Sequence, residues 1–188
     1  MKDNKQLNSH MFENIYKDLV IDVNKLGCVM LNVVPQENVS VNEEYLYYAK
    51  NKDHYWIDGL VINKVGHITI LYGLLESALK WEKYVRQVLK GWSVASIEIE
   101  DVGFFESPMP DEPYYCIVAF VKVTDKLLEG KQRLELLPHI NTFTEYKPHV
   151  TLAYVKKDEK ARDFVIEYFE SLLKGRTVKL KEGLNLGK

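Results

Sequence analysis

Gly66-His67-Ile68-Thr69-Ile70-Leu71-Tyr72-Gly73 and Pro148-His149-Val150-Thr151-Leu152-Ala153-Tyr154 are two versions of one phrase. In each, a His and a Thr stand two residues apart within an apolar run, and a Tyr follows. An apolar run of this length reads as a strand. Period 2 then puts His67 with Thr69, and His149 with Thr151, on one face, and turns Ile68, Ile70, Val150 and Leu152 to the other. The histidines lie 82 residues apart, from 67 to 149, so only the fold can bring them together. Two imidazoles and two hydroxyls in one site suit cleavage of a phosphodiester. Imidazole titrates near neutrality, so one ring can accept a proton while the other donates one. The hydroxyls can donate to the non-bridging phosphate oxygens and hold the phosphorus in line. A single His-x-Thr in a strand is commonplace and needs only a buried imidazole bonded to a carbonyl. Two copies with matching flanks weigh the pair toward function, a faint duplication visible only at the motif.

Strand and helix signals alternate outward from these two phrases. Cys28 to Val34, stopped by Pro35, reads as a buried strand. Leu60 to Leu71 reads as two strand segments or one bent strand, ended by Gly73. Glu76 to Leu89 is the clearest helix, with Ala78, Trp81, Val85, Val88 and Trp92 on one face and Gly91 at its end. Val94 to Phe105 alternates as a half-exposed strand, and Tyr114 to Val123 reads as a central strand buried on both faces. Asp125 to Leu137 is a second helix, His149 to Val155 a strand and Lys157 to Leu173 a third helix. That third helix buries Ala161, Phe164, Val165, Tyr168 and Leu172, and Thr177 to Leu186 closes the series as a strand. Asn14 to Val23 is weakly helical, and Asn42-Glu43-Glu44 starts a short helix through Tyr45 to Ala49. Asn51 to Gly59 and Ser107 to Pro113 read as loops. The segment from Gln36 to Gly66 carries no assignable role.

Composition bounds the function. The 188 residues are 46% hydrophobic and 28% charged, ordinary for a globular chain able to bury a core. A formal net charge of −2 argues against a broad basic surface for long nucleic acid and favours a small ligand. Cys28 and Cys116 stand alone, outside any CxxC pair, so neither a disulfide scaffold nor a structural zinc cluster is expected. With no His-x-His or HExxH and one good ligand per motif, no metal is expected at the site either. No apolar run is long enough for a membrane span. Met1 to Met11 lacks the apolar middle of a secretory signal, so a reducing cytoplasm is the expected compartment. Of the other histidines, His10 is expected in a frayed end, and His54 and His139 in solvated loops. The charge run Lys156 to Arg162 is expected on the solvated face of the third helix.

The pair His67-x-Thr69 and His149-x-Thr151 resembles the signature of the 2H phosphoesterase superfamily, which includes LigT-like RNA ligases and 2′,3′-cyclic phosphodiesterases. The flanks HITILYGL and KPHVTLAYV are similar to those of the phage anti-CBASS enzymes that degrade cyclic oligonucleotide immune messengers. The resemblance implies an α+β, two-lobed fold over residues 1–188, with a less defined extension at about residues 1–25. Antiparallel sheets would face a central groove, with helices outside. It implies His67 and His149 as the catalytic acid–base pair and Thr69 and Thr151 as phosphate donors, with no cofactor. The substrate would be a small cyclic oligonucleotide, met in the cytoplasm of the host if the chain is phage-encoded. Its own ribose 2′-hydroxyl would attack. Which histidine is acid and which is base stays open at the level of sequence. The alternatives are a phosphodiesterase for RNA ends with 2′,3′-cyclic phosphate or for 2′–5′ links, and a binding protein that sequesters a nucleotide uncleaved.

Three further residues are candidates for substrate binding. Phe105, before the Pro-rich loop, can stack on a base or join the core. Lys147, two residues before His149, can offset phosphate charge or stand solvated. Glu182, in the last strand beside Gly183, can read a base edge or remain an exposed carboxylate.

Overall fold

The computed structural model describes residues 25–34, 41–47, 66–109, 111–141, 143 and 145–187. The expected helix at Asn14 to Val23, the loop at Asn51 to Gly59, the first half of the Leu60 to Leu71 strand, His10 and His54 lie outside them. The described residues form six strands and three α-helices in the order β1 (Gly27–Val33), β2 (His67–Leu74), α1 (Glu82–Val88), β3 (Ser96–Glu106), β4 (Tyr114–Val121), α2 (Asp125–Leu134), β5 (His149–Lys156), α3 (Glu159–Leu173) and β6 (Thr177–Gly187). All strand pairs are antiparallel, in the order β2-β1-β6-β3-β4-β5.

The middle of that sheet makes two lobes of it. β3 and β6 pair only over Ser96 to Glu98 against Thr177 to Lys179. Beyond that short ladder they part, β6 to pair with β1 and β3 to pair with β4. An irregularity marks each parting, between Ile99 and Asp101 on β3 and opposite Leu31 and Val33 on β1. Such irregularities bend a strand and raise its twist. The result is two three-stranded lobes, β2-β1-β6 and β5-β4-β3, and each chain half gives its last strand to the other lobe. The connections exchange too. Leu46 bridges to Val155 on the free edge of β5, and His139 bridges to Leu74 on the free edge of β2. Exposed edges are thereby covered by backbone from the opposite half.

The helices pack on the face away from the motifs. Ile68, Ile70, Val29 and Leu31 of one lobe, and Ile117, Ala119, Val150 and Leu152 of the other, are buried there with Val85, Leu127, Leu134 and Phe169. Local sequence explains the helix boundaries. The Thr124 hydroxyl accepts from the Leu127 N–H, and the Asp158 carboxylate accepts from the Ala161 N–H, so α2 and α3 start at capped ends. Past α3, Gly175 takes φ +74°, the left-handed turn that ends a helix.

Several expectations are corrected. The first helix is regular only over Glu82–Val88. Before it, the N–H groups of Lys80, Trp81 and Glu82 bond three residues back, and the Ala78 N–H goes to the Gly187 carbonyl at 3.1 Å, so the chain turns tightly to meet β6. β2 does not end at Gly73 but runs to Leu74. Gly73 has φ +109°, and its carbonyl accepts from Ile140; a side chain there would run into the Ile140 carbonyl. β4 is not buried on both faces throughout, since Cys116 and Phe120 are only partly buried. On α3 the buried stripe is Ala161, Val165, Phe169 and Leu173, at strict i, i+4 spacing, while Phe164 stands 52% exposed against Tyr45. The short helix after Asn42 is a single 3-10 turn, Glu43–Tyr45, because Leu46 is drawn into extended pairing. The charge run is not simply solvated: Lys157 lies over the Tyr115 ring, and Arg162 over Phe104 and Tyr115. His139 is partly buried, and its Nδ1–H donates to the Leu137 carbonyl at 2.9 Å.

Candidate active site

His67 and His149 are the first residues of the two outermost strands. Their positions are set by matching backbone bonds: Val33 N–H to the Gly66 carbonyl, and Val121 N–H to the Pro148 carbonyl, both at 2.8 Å. Directly across the ladder, His67 faces Asn32 and His149 faces Phe120. Thr69 and Thr151 follow on the same face, opposite Met30 and Val118.

Each motif then carries the same irregularity. Met30 pairs with Thr69 but Val29 with Leu71, so Ile70 is the extra residue. Val118 pairs with Thr151 but Ile117 with Ala153, so Leu152 is the extra residue. A one-residue bulge reverses the side-chain alternation beyond it. Tyr72 and Tyr154 therefore return to the face of the histidines, opposite Cys28 and Cys116. Those positions in the sequence phrase are explained by the bulge and not by period 2. Tyr72 sits 6.1 Å from Phe143, and Tyr154 sits 5.1 Å from Tyr114, centroid to centroid.

His67 is exposed and His149 partly buried. The Lys147 carbonyl lies 2.8 Å from His149 Nδ1. A carbonyl can only accept, so Nδ1 carries the proton, and in the neutral ring Nε2 keeps its lone pair. Burial pushes His149 below the ordinary imidazole range, the Lys147 bond opposes this, and the nearby His67 charge lowers it further. The strands that carry the two histidines, β2 and β5, come into direct contact. The Thr151 hydroxyl lies 3.9 Å from Cys116 Sγ. Burial pushes the Cys28 thiol up, against a bond from the Gly187 backbone. Among the described residues, no three His, Cys, Asp or Glu side chains gather as a metal would need, and no helix is long and apolar enough to cross a membrane.

The structure places Phe105 and Lys147 beside His149 and Glu182 elsewhere. Phe105 neither joins the core nor stands free. Its ring meets His149 edge-on at 5.0 Å and Phe120 at 5.7 Å. Lys147 gives its carbonyl to His149, and its ammonium pairs with Glu145 at 2.9 Å. Glu182 lines a cavity of about 570 Å³ with Leu31, Arg86 and Trp92. Leu31 belongs to the buried, helix-side face of β1, so that cavity opens away from the histidines. Sequence reading missed Asn32, Asn185 and Phe120. Asn185 Nδ2 donates to Asn32 Oδ1 at 2.9 Å across 153 residues of chain. No local signal announces such a pair; only strand register does.

With this geometry in hand, a family model described as the 2′-5′ RNA ligase superfamily matches residues 50–182, which include both motifs. The chain belongs to that superfamily, the 2H phosphoesterases, and its chemistry is that of a phosphodiesterase. Among solved structures it is similar to Usb1 of Kluyveromyces marxianus, at 10% identity over 86% of this chain and 93% of that one, with a TM-score of 0.49. A second structure, of the same protein with uridine monophosphate, is similar at 10% identity over 88% and 99%, with a TM-score of 0.48. No curated protein matches the chain.

Proposed function

We propose that the protein opens the 3′–5′ phosphodiester bonds of small cyclic di- or trinucleotides, without a metal, as the phage anti-CBASS enzymes do. The observation that carries this reading is the presence of two complete His-Thr sets, one from each lobe, on strands that come into direct contact. The ligand's own 2′-hydroxyl attacks phosphorus. One histidine takes the hydroxyl proton as the 2′-oxygen bonds to phosphorus, and the other protonates the departing 5′-oxygen as its bond breaks. The product is a 2′,3′-cyclic phosphate. Thr69 and Thr151 donate to the non-bridging oxygens, where the charge of the transition state gathers. At the His149 side a substrate phosphate competes with Glu145 for the Lys147 ammonium, and Phe105 offers a ring edge to the adjoining nucleoside. The formal charge of −2 and the likeness of both flanks to the anti-CBASS enzymes favour a small cyclic ligand over a long strand.

Incubation with cyclic dinucleotides, cyclic trinucleotides, 2′–5′ oligonucleotides and RNA ends in EDTA, read by chromatography, tests the reading. Ring opening of a cyclic member is expected. Turnover of RNA ends or 2′–5′ links alone would move the substrate within the superfamily. Binding without turnover would make the protein a sponge.

A further inference from the structure

The cavity that Glu182 lines owes its space to two irregular stretches of chain. Between the pairs Leu31–Leu184 and Val33–Leu180, three residues of β6, Lys181, Glu182 and Gly183, stand opposite one residue of β1. On the other side, the ladder between β3 and β6 reaches only to Lys179. Extra residues of this kind bend a strand away from its partners. Gly183 takes φ +94°, with open space where a side chain would stand. After α1 the chain turns at Gly91, φ +75°, and brings Trp92 into the core, where its indole N–H donates to the Lys126 carbonyl at 2.7 Å. Between the two stretches lie the 570 Å³. Small-ligand sites span about 300–1,000 Å³.

We propose that this cavity is a second, non-catalytic binding site, for a guanine nucleotide. Leu31, Leu89, Trp92 and Leu184 make one part of its lining apolar, and Arg86, Lys181 and Glu182 make the other charged. The apolar part takes the flat ring of a base. Among the described residues, no hydrogen bond or ion pair holds the Lys181 or Glu182 side chain, and both residues are exposed. A free carboxylate accepts best from two parallel N–H donors. Of the four RNA bases, guanine alone presents a ring N–H and an amino group side by side. Adenine and cytosine set an acceptor nitrogen beside their amino group, and uracil flanks its one N–H with carbonyls, so each would turn a lone pair against the Glu182 oxygens. The phosphate falls to the cations, Lys181 from β6 and Arg86 from α1. Arg86 is paired with Glu82 at 2.7 Å along its own helix, both side chains exposed. Such a pair is weak enough for an anion to enter it. Lys181 is the cation that a phosphate meets unopposed. Leu31 puts the cavity on the helix side of the sheet, opposite the His-Thr pairs, so binding here needs no proton transfer and is independent of the phosphodiesterase reading.

Titration calorimetry in EDTA tests the site, with guanosine 5′-monophosphate, adenosine 5′-monophosphate and guanosine as probes. It is run on the protein and on a His67→Ala, His149→Ala double variant, whose motif site has lost both imidazoles. Guanosine 5′-monophosphate is expected to bind both with similar affinity. Glu182→Gln is expected to weaken that binding by about tenfold or more, the loss of a charge-assisted hydrogen bond, and adenosine 5′-monophosphate to bind the unchanged protein more weakly by a like factor. Lys181→Ala is expected to weaken the nucleotide by about tenfold and to leave guanosine unmoved. No binding of guanosine 5′-monophosphate, binding lost in the double variant while its thermal midpoint is kept, or an affinity that Glu182→Gln leaves unmoved would overturn the site. Equal affinity for the two monophosphates would overturn the guanine assignment. Glu182→Gln in the otherwise unchanged protein keeps the test decisive whatever the stability of the double variant.

Discussion

Asn32 and Phe120 occupy the same register position in the two lobes, each directly across the ladder from its histidine. The frame is duplicated and the chemistry is not. Asn32 accepts from Asn185 at 2.9 Å, and replacing it with Leu removes the amide beside His67 and strands the Asn185 donor. An exchange of one hydrogen bond of this kind is worth about 1 kcal/mol, or roughly fivefold in rate. Turnover of the cyclic nucleotide by Asn32→Leu is expected to fall by about that factor. Steady-state assays check it, and unchanged turnover would show that the Asn32 amide does not support His67.

The pH dependence follows from the environment of His149. Burial holds its folded value below the ordinary imidazole range, so the neutral ring persists to lower pH than in a free histidine. His149 is one of the two proton carriers, so the limb of the kcat/KM profile that reports it is expected to have its midpoint below about 6.5. Stability moves the same way. The contribution from His149 is whole above the unfolded value and is lost as pH falls through the folded one. A pH–rate profile and denaturation in parallel measure both; if the limb that Phe105→Ala moves lies above the ordinary imidazole value, the effect of burial on His149 is contradicted.

The nucleophile is testable by deletion of one oxygen. If the ligand's 2′-hydroxyl attacks, the 2′-deoxy analogue of the cleaved cyclic nucleotide should bind with similar affinity and resist opening. Cleavage of the deoxy analogue at a comparable rate would make water the nucleophile and leave the two histidines in place.

Gly130 on α2 tests the packing between helices. A Cβ there would come within 3.0 Å of three atoms of the Trp92 indole, whose Nε1 donates to the Lys126 carbonyl at 2.7 Å. Helix propensity alone would favour Gly130→Ala by about 1 kcal/mol. Overpacking a well-filled contact costs about 1–3 kcal/mol. The clash is expected to win, so the urea midpoint should fall. A rise would show that the indole gives way freely.

Much of this architecture is written locally. The strands at Cys28, Tyr114 and His149 follow from apolar runs and were legible, as were the second and third helices, but not their caps at Thr124 and Asp158 or the end of the second at Leu134. The limits are equally physical. The first helix is shortened because the Ala78 N–H is claimed by the Gly187 carbonyl, a partner more than one hundred residues away. The α3 stripe was misread: Phe164 looks like core and instead packs on Tyr45, and Phe169 and Leu173 are buried where Tyr168 and Leu172 are only partly so. At the site, the His-Thr pairs were visible because period 2 is local. Asn32, Phe120 and the bulges that turn Tyr72 and Tyr154 to the same face depend on cross-strand register, which no single stretch encodes. Glu182 lies on an irregular part of β6, between the pairings of Leu180 and Leu184, where alternation no longer tells which way a side chain faces.

The central claim is that two histidines, one from each lobe, move the protons of phosphodiester cleavage. The measurement that tests it most directly is the rate of opening of cyclic di- and trinucleotides in EDTA by the protein, His67→Ala and His149→Ala. The account predicts that the protein opens at least one of them with the metal chelated, and that each variant slows this by about 10²–10⁴-fold while binding changes far less. Full turnover by either variant, or loss of wild-type turnover in EDTA that a divalent ion restores, would contradict it.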